Sequence, residues 1–391
     1  MLASSNLTRA MFYPVIAAAL VLALAISGVA EAQARAQPAD LAIRELLVGL
    51  LQREPEGFAS AKAPWRFSFP ADHAAHPDYW TESWHFTGGA SSSRGRQFGF
   101  QLTFLRIGVR SPGTPLGPSA FAARDVYWAQ FALTDVGAKR THAAERISRA
   151  AMGFAGAQHS PVRVWLEDWM LEVRNEAGEG EVFELRAADH NMRLELSVRS
   201  AKGPVISTAA DVYRTSDAAN PFHAYAMTRL LGKGAIQIGS ESFDVDSRAW
   251  LDRAWGRIPV PVGAVVWDRF LVQLDDGREI MAIRLRRRDG GGEPTVTGML
   301  IDRDGSARTL PQDTLQADVL EYWSSPQGTR HPVAWRLRIP REHLELRLTP
   351  ILAAQERPLS LLSWAGAMRV SGAEKGRAVE GTGYMELAAS P

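Results

Sequence analysis

The chain has 391 residues, of which 46% are hydrophobic and 22% charged, so it is long enough for two domains with cores of their own. Its 44 Lys and Arg residues stand against 43 Asp and Glu residues, with no basic block, which argues against the phosphate neutralisation that nucleic-acid binding needs. Without cysteine, the chain has neither disulfides nor thiolate metal sites.

Residues 1–32 have the pattern of an export signal. Arg9 lies in a short polar start, an apolar run covers Val15–Val29, and Ala30–Ala32 forms an A-x-A cleavage site. An apolar run of about 15 residues is short for a membrane span, which needs about 20. We therefore expect a mature periplasmic or secreted protein that starts near Gln33 and is not a lipoprotein, because no cysteine follows the cleavage site. An uncleaved N-terminal anchor is the alternative.

The next segment, residues 33–63, is predicted to be a lead-in that contains one amphipathic helix. Apolar residues between Leu41 and Leu51 fall at helical spacing, with Arg44 and Glu45 on the opposite side. We expect this helix to cap a barrel mouth, or alternatively to dock on a partner or a membrane surface.

From residue 64 onwards, the apolar spacing changes to the alternation of half-buried strands. More than a dozen short runs of this kind, separated by turn signals, predict an all-β chain of two barrels or sandwiches. We place the boundary between the halves at 232/233, giving domains 64–232 and 233–391, because Gly232 and Gly234 interrupt the pattern. The predicted strands are 79–87, 97–106, 126–133, 162–173, 182–185, 192–198, 235–238, 242–245, 249–255, 265–274, 279–286, 295–301, 318–323, 334–339, 344–348, 361–370 and 381–387.

Glu82 is the first candidate for acid chemistry. By alternation it shares a face with Trp80 and Trp84, where burial would raise its pKa and favour a protonated acid that could protonate an apolar substrate. The alternative is structural, with Glu82 bonded to an arginine such as Arg106 or Arg229, because an unpaired buried carboxylate is costly.

The stretch 247–277 supplies two further carboxylates. Asp252 alternates with Trp250, and Asp268 shares a face with the apolar residues of its own strand. Either could be a protonated acid in surroundings that stabilise a carbocation, or a structural group that binds backbone amides or nearby arginines. The same stretch contains three tryptophans: Trp250, Trp255 and Trp267.

The segment Asp72–Asp78 carries two histidines three positions apart with flanking carboxylates. Imidazole and carboxylate groups could hold zinc or iron. Pro70 and Pro77 bound the segment, which indicates a loop, and loops of this composition are usually solvated turns. We therefore predict no metal site and no cofactor.

Several longer motifs carry a family resemblance. The runs FPADHAAHPDYWTESWHFTGG, FGFQLTFLR, VRVWLEDW, AWLDRAWG, VVWDRFLVQLDDGREIMAIRLR, LELRLTP and GTGYMEL resemble the AttH and carotenoid 1,2-hydratase family, from about Pro64 to Leu387. The resemblance implies two packed lipocalin-like antiparallel β-barrels with a hydrophobic ligand site. It also implies export, and a link to an ABC transporter or another membrane partner.

Individual positions differ from the family pattern. The family run T-E-W-W-Y reads Thr81–His85 here, W-L-D-x-E-W-G reads Trp250–Gly256 with Ala254 in place of glutamate, and Y-Y-S-x-T-R-L is reduced to His223–Leu230. Each difference removes a polar or aromatic group from the implied site. The residues expected to contact ligand are Trp80, Trp84, Tyr225, Arg229, Trp250, Trp255 and Trp267.

The expected function is therefore binding of a hydrophobic molecule, such as a lipid or an isoprenoid, by an exported lipocalin-like protein. The alternative is a cofactor-independent hydratase or cyclase, in which Asp252, Asp268 or Glu82 protonates an isoprenoid alkene. A role as accessory protein to a transporter is the third possibility.

Overall fold

The computed structural model describes residues 37–52, 56–61, 65–176, 180–206, 222–258, 264–357, 359–360 and 362–388. The predicted export signal lies outside these residues. Within them, none of the helices has the length and apolar character that a membrane span requires.

The described residues form one α-helix, α1 (Gln37–Gln52), and two antiparallel sheets, which confirms the all-β prediction. The first sheet is a nearly closed barrel with the strand order β4-β3-β2-β1-β12-β11-β9-β8-β7-β6-β5, and β10 pairs with β11. Its strands are β1 (Thr81–Ser92), β2 (Gln97–Gly108), β3 (Asp125–Asp135), β4 (Arg140–Arg149), β5 (Ala155–His159), β6 (Val162–Leu166), β7 (Trp169–Glu176), β8 (Gly180–Asp189), β9 (Met192–Ser200), β10 (Val205–Ile206), β11 (Phe222–Ile238) and β12 (Glu241–Gly256).

The second sheet is a half-barrel with the order β16-β15-β14-β13-β21-β20-β19-β18-β17. Its strands are β13 (Val265–Leu274), β14 (Glu279–Arg287), β15 (Thr295–Ile301), β16 (Ala307–Leu310), β17 (Gln316–Ser324), β18 (Arg330–Ile339), β19 (Leu344–Pro350), β20 (Leu362–Glu374) and β21 (Arg377–Ala388). Each sheet encloses a core of fully buried apolar side chains, and a third apolar cluster lies where the two sheets meet.

The helix does not cap a barrel mouth as predicted. Leu47 and Leu51 pack against Leu105 and Ile107, which point outwards from β2 because the alternate residues of that strand face the barrel interior. Trp80 belongs to the same outer cluster. The apolar stripe of α1 therefore covers the outer surface of the first sheet.

The predicted domain boundary at 232/233 does not coincide with the division between the two sheets. It falls inside β11, and both β11 and β12 belong to the first sheet, so the sheets separate between Gly256 and Val265. The glycines that interrupt the apolar pattern are required by close strand packing. A Cβ atom on Gly232 would lie 2.0 Å from the carbonyl oxygen of Ser197 on β9, a distance that no side chain tolerates.

Candidate functional site

The first sheet meets the second along β1, β2 and β12 on one side and β13, β20 and β21 on the other. Trp250 of β12 lies in the apolar cluster of this interface together with Leu271 of β13 and Tyr384 of β21. Buried ion pairs also join the sheets, because Glu279 of β14 binds both Lys202, at 2.7 Å, and Arg229 of β11, at 2.5 Å.

A cluster of charged side chains lies in the same interface. Arg269 of β13 donates to Asp252 Oδ2 at 2.7 Å and to Glu386 Oε2, also at 2.7 Å. The indole N–H of Trp250 donates to Asp252 Oδ1 at 3.0 Å, and His85 Nε2 lies 2.9 Å from Glu386 Oε1. We call His85, Asp252, Arg269 and Glu386 the interface cluster; two of its members come from each sheet.

The interface cluster combines buried and accessible groups. Burial would raise the pKa of Glu386, but the charges of Arg269 and His85 lower it to about 2, so this carboxyl group is ionised. The side chains of Asp252 and His85 remain 15% and 12% exposed. A bound molecule could therefore reach a carboxylate and an imidazole while Glu386 and Arg269 hold the other side of the cluster.

Three of the predicted site residues, Trp250, Asp252 and Trp267, meet at this interface. The guanidinium of Arg269 lies 5.7 Å from the Trp267 ring, within cation–π range. Sequence reasoning missed Glu386 as a site residue and considered Arg269 only as a counter-ion. Strand alternation could have placed Arg269 on the face opposite Asp268, with Trp267.

A second group of predicted residues meets at one end of the first barrel. Glu82 is fully buried, and its two oxygens accept from Arg253 at 2.6 Å and from Arg106 at 3.2 Å. His76 contributes a ring nitrogen at 2.7 Å and its backbone N–H. Burial raises the pKa of Glu82, but Arg253, His76 and Arg106 together lower it well below its usual range. Glu82 is thus an ionised structural group paired with Arg106, as the structural alternative predicted.

The predicted solvated loop is instead part of this barrel end. Asp72 and His73 are buried, and His76 Nε2 lies 3.1 Å from Asp72 Oδ1. His73 Nδ1 lies 2.5 Å from the Tyr225 hydroxyl, and its Nε2 lies 2.9 Å from Glu181. Among the residues that the structure describes, no three histidine or acidic side chains form a metal-binding group. The loop is buried because its polar groups bond to side chains of the barrel strands.

Aromatic rings complete the barrel end. His76 stacks on Trp255 at 3.9 Å between ring centroids, and the Arg253 guanidinium lies 4.1 Å from the Trp84 ring. Tyr225 is fully buried, and burial raises the pKa of its hydroxyl group. Trp84, Tyr225 and Trp255 therefore meet at the barrel end, as core side chains around Glu82.

The remaining predicted residues lie elsewhere. Asp268 faces the interior of the second sheet, where it accepts from Arg284 at 2.8 Å and from Arg286 at 3.0 Å. Arg229 forms an ion pair with Glu279, and Trp80 lies beneath α1. Asp252 and Asp268 thus belong to different sheets and do not share a site.

The interface also contains open space. A cleft of about 580 Å³ is lined chiefly by β1, β2, β11 and β12 on one side and by β20 and β21 on the other. It lies beside the interface cluster along the strands, and no member of the cluster lines it. Fold and site together define a lipocalin-like protein of two sheets, with a cluster of charged and aromatic groups at their junction.

Comparison with known proteins gives the family. A model of the AttH-like family matches residues 60–390, and the chain belongs to that family. An AttH crystal structure from Nitrosomonas europaea superposes with a TM-score of 0.70 at 25% identity, covering 85% of this chain and all of the other. Kievitone hydratase from Nectria haematococca has the same fold, with a TM-score of 0.59 at 14% identity over 86% of this chain and 98% of its own. No curated protein matches.

Proposed function

We propose that this protein binds a hydrophobic small molecule, such as a lipid or an isoprenoid, at the junction of its two sheets. The supporting observation is the interface cluster, which places partly exposed charged groups next to Trp250 and Trp267. Binding sites of this kind are concave and mostly apolar, with a few polar groups that orient the ligand.

The packing of the barrels favours the junction over their interiors. Large side chains such as Trp84 and Phe100 in the first sheet and Trp335 in the second are fully buried and occupy the space that a ligand in the barrel would need. At the junction, each Å² of apolar ligand surface removed from water contributes about 25 cal/mol. A molecule with an apolar body and one polar end fits this arrangement.

Replacing Trp267 by alanine is expected to weaken binding of farnesol by about tenfold, since loss of one aromatic wall removes roughly 1.4 kcal/mol. The measurement is a farnesol titration followed by tryptophan fluorescence, supported by mass spectrometry of molecules that co-purify with the protein. Trp323→Ala, on the edge strand β17 of the second sheet, is the matched control and should bind as the unaltered protein does. Absence of saturable binding, or equal weakening by both variants, would contradict the proposal.

Hydration or cyclisation of an isoprenoid alkene is the second candidate. The observation that favours it is a partly exposed imidazole and carboxylate, with a second, buried carboxylate, beside aromatic rings. The geometry limits the role of Asp252 as a proton donor, because both of its carboxylate oxygens accept hydrogen bonds, one from Trp250 and one from Arg269. Kievitone hydratase shares the fold, but a shared fold does not carry an activity with it.

Activity, if present at this site, should respond to Asp252→Asn and not to Asp268→Asn, because only Asp252 lies at the junction. We expect at least a tenfold loss in turnover of acyclic terpenoids for Asp252→Asn, measured by product analysis, with Asp268→Asn as the control. Turnover that is unchanged in Asp252→Asn would exclude this residue from the chemistry.

The proposal includes export, which is supported by the sequence pattern of residues 1–32. A role beside a membrane transporter remains the third candidate. Co-purification of a transporter subunit from solubilised membranes would support it, whereas a ligand that accompanies the isolated protein supports binding.

A further inference from the structure

Two neighbouring loops project from one end of the first barrel. Residues 109–124 connect β2 to β3, and residues 150–154 connect β4 to β5. The loops are held together where they leave the sheet, because the Ala150 N–H donates to the Asp125 carbonyl oxygen at 2.9 Å. We call residues 109–124 and 149–154 the loop tip.

The loop tip exposes large apolar side chains. Leu116 is 43% exposed, Phe121 54%, Met152 63% and Phe154 53%. Scattered exposed apolar residues are normal on a soluble protein, but here four lie on two loops that adjoin at the edge of the sheet. Exposed apolar patches mark sites of contact with proteins or membranes.

The charge of the loop tip favours a membrane over a protein as its partner. Its sequence contains Arg110, Arg124 and Arg149 and no aspartate or glutamate. Within the described part of the chain, none of the three arginines forms an ion pair, and Arg110 and Arg149 are exposed. The nearest acid in the sequence, Asp125, is already paired with Arg106 at 2.8 Å. Exposed acids adjoin the loop tip, because the Glu167 N–H donates to the Phe154 carbonyl oxygen at 2.6 Å, but the Glu167 side chain is paired with Arg146. Apolar side chains on loops that carry three arginines and no acid of their own complement a surface of anionic lipid headgroups.

We propose that the loop tip inserts its apolar side chains into the surface of an anionic lipid bilayer, with the three arginines at the headgroup level. Leucine, methionine and phenylalanine side chains enter the acyl boundary, while arginine extends its charge towards the phosphates. This inference does not depend on the proposed function, because it is carried by a different surface.

Docking in this way orients the candidate site. Thr81 at the start of β1 pairs with Ile107 at the end of β2 and with Gly256 at the end of β12. The strand ends beside the loop tip are thus the ends nearest Asp252, which lies four residues before Gly256. The charged part of the sheet junction then lies towards the lipid.

The test is co-sedimentation of the full chain with vesicles of phosphatidylcholine alone or with a quarter phosphatidylglycerol. We expect binding to the anionic vesicles, and a fall of at least fivefold in the bound fraction for Phe121→Ser/Phe154→Ser. The matched control, Leu231→Ser/Tyr322→Ser, removes two large side chains outside the loop tip that are 43% and 51% exposed, and it should bind normally. All variants keep residues 1–36, so any contribution of the N-terminal apolar run is common to them.

The charge is tested in the same assay. Arg110→Gln/Arg149→Gln should reduce binding at least fivefold at low salt, whereas Arg174→Gln/Arg193→Gln, on exposed strand positions of the same sheet, should not. Equal binding of the loop variants and their controls would overturn the proposal. So would a dimer in sedimentation velocity that Phe121→Ser/Phe154→Ser abolishes while vesicle binding is absent, because the tip would then be a self-association surface.

Discussion

Replacing Arg253 by leucine is expected to lower the free energy of unfolding by about 3–5 kcal/mol, the usual cost of breaking a buried ion pair. Arg253 is fully buried, and it donates to Glu82 at 2.6 Å and to the Ala74 and Ser83 carbonyl oxygens. Leucine leaves the Glu82 carboxylate with less compensating charge and removes the cation–π contact with Trp84. The measurement is equilibrium unfolding in urea.

Arg248→Leu is the matched control on the same strand. Arg248 is partly exposed and bonds to Asp275 at 2.8 Å, and a surface pair of this kind contributes at most about 1 kcal/mol. Adding Glu82→Gln to Arg253→Leu should recover part of the loss, because the unpaired charge is then absent. A cost for Arg253→Leu no larger than that for Arg248→Leu would show that the barrel end does not depend on this network.

Acidification is expected to destabilise the protein through Glu386, and Glu386→Gln should reduce that effect. The pKa of Glu386 is lowered from 4.5 to about 2 in the folded protein. A lowered pKa means that the stabilisation is fully present above pH 4.5 and is lost as the pH falls towards 2. A difference of this size corresponds to about 3 kcal/mol. The measurement is the free energy of unfolding at pH 6 and at pH 3 for both proteins.

Glu380→Gln provides the control, because Glu380 lies on the same strand and is exposed. This variant should keep the full acid-induced loss of the unaltered protein. Glu82 acts in the same direction, since its pKa is also lowered, so Glu386→Gln removes only part of the effect. A variant that loses as much stability on acidification as the unaltered protein would show that Glu386 is not a source of the pH dependence.

The alternation of apolar residues predicted most of the strands and the faces of several of them. Phe98, Phe100 and Phe104, alternate residues of the predicted strand 97–106, lie together in the first core, and Asp268 does face the interior of its sheet. The partners of Asp268 could not be predicted in this way. Arg284 lies directly opposite Asp268 on the neighbouring strand, and that register is set by tertiary packing.

The hairpin of β6 and β7 and the strand β4 were not recognised in the sequence, because of local features of the chain. The predicted strand 162–173 is the hairpin of β6 and β7, which reverses at Glu167 with a φ of 56°. Glycine, asparagine and aspartate are the residues that commonly adopt that conformation, so a glutamate at this position does not signal a turn. β4 was not predicted, because its residues are half-buried on both faces and show no alternation.

The candidate site was only partly predictable. Trp250, Asp252 and Trp267 were expected near one another and do meet at the junction, whereas Glu386 comes from the last strand of the chain. The same stretch supplied both Asp252 and Asp268 as candidate acids. Only Asp252 lies at the junction, because Asp268 points away from it into the interior of the second sheet.

The interface cluster links the two halves of the chain, because each sheet contributes two of its four members. His85 and Asp252 belong to the first sheet, and Arg269 and Glu386 to the second. Separating the sheets would break the contacts of Asp252 with Arg269 and of His85 with Glu386, whereas Arg269 and Glu386 would stay paired within the second sheet, so the two contacts that cross the junction also hold the halves together. Substitutions that loosen the distant contact of Lys202 with Glu279 would therefore disturb the site without touching it.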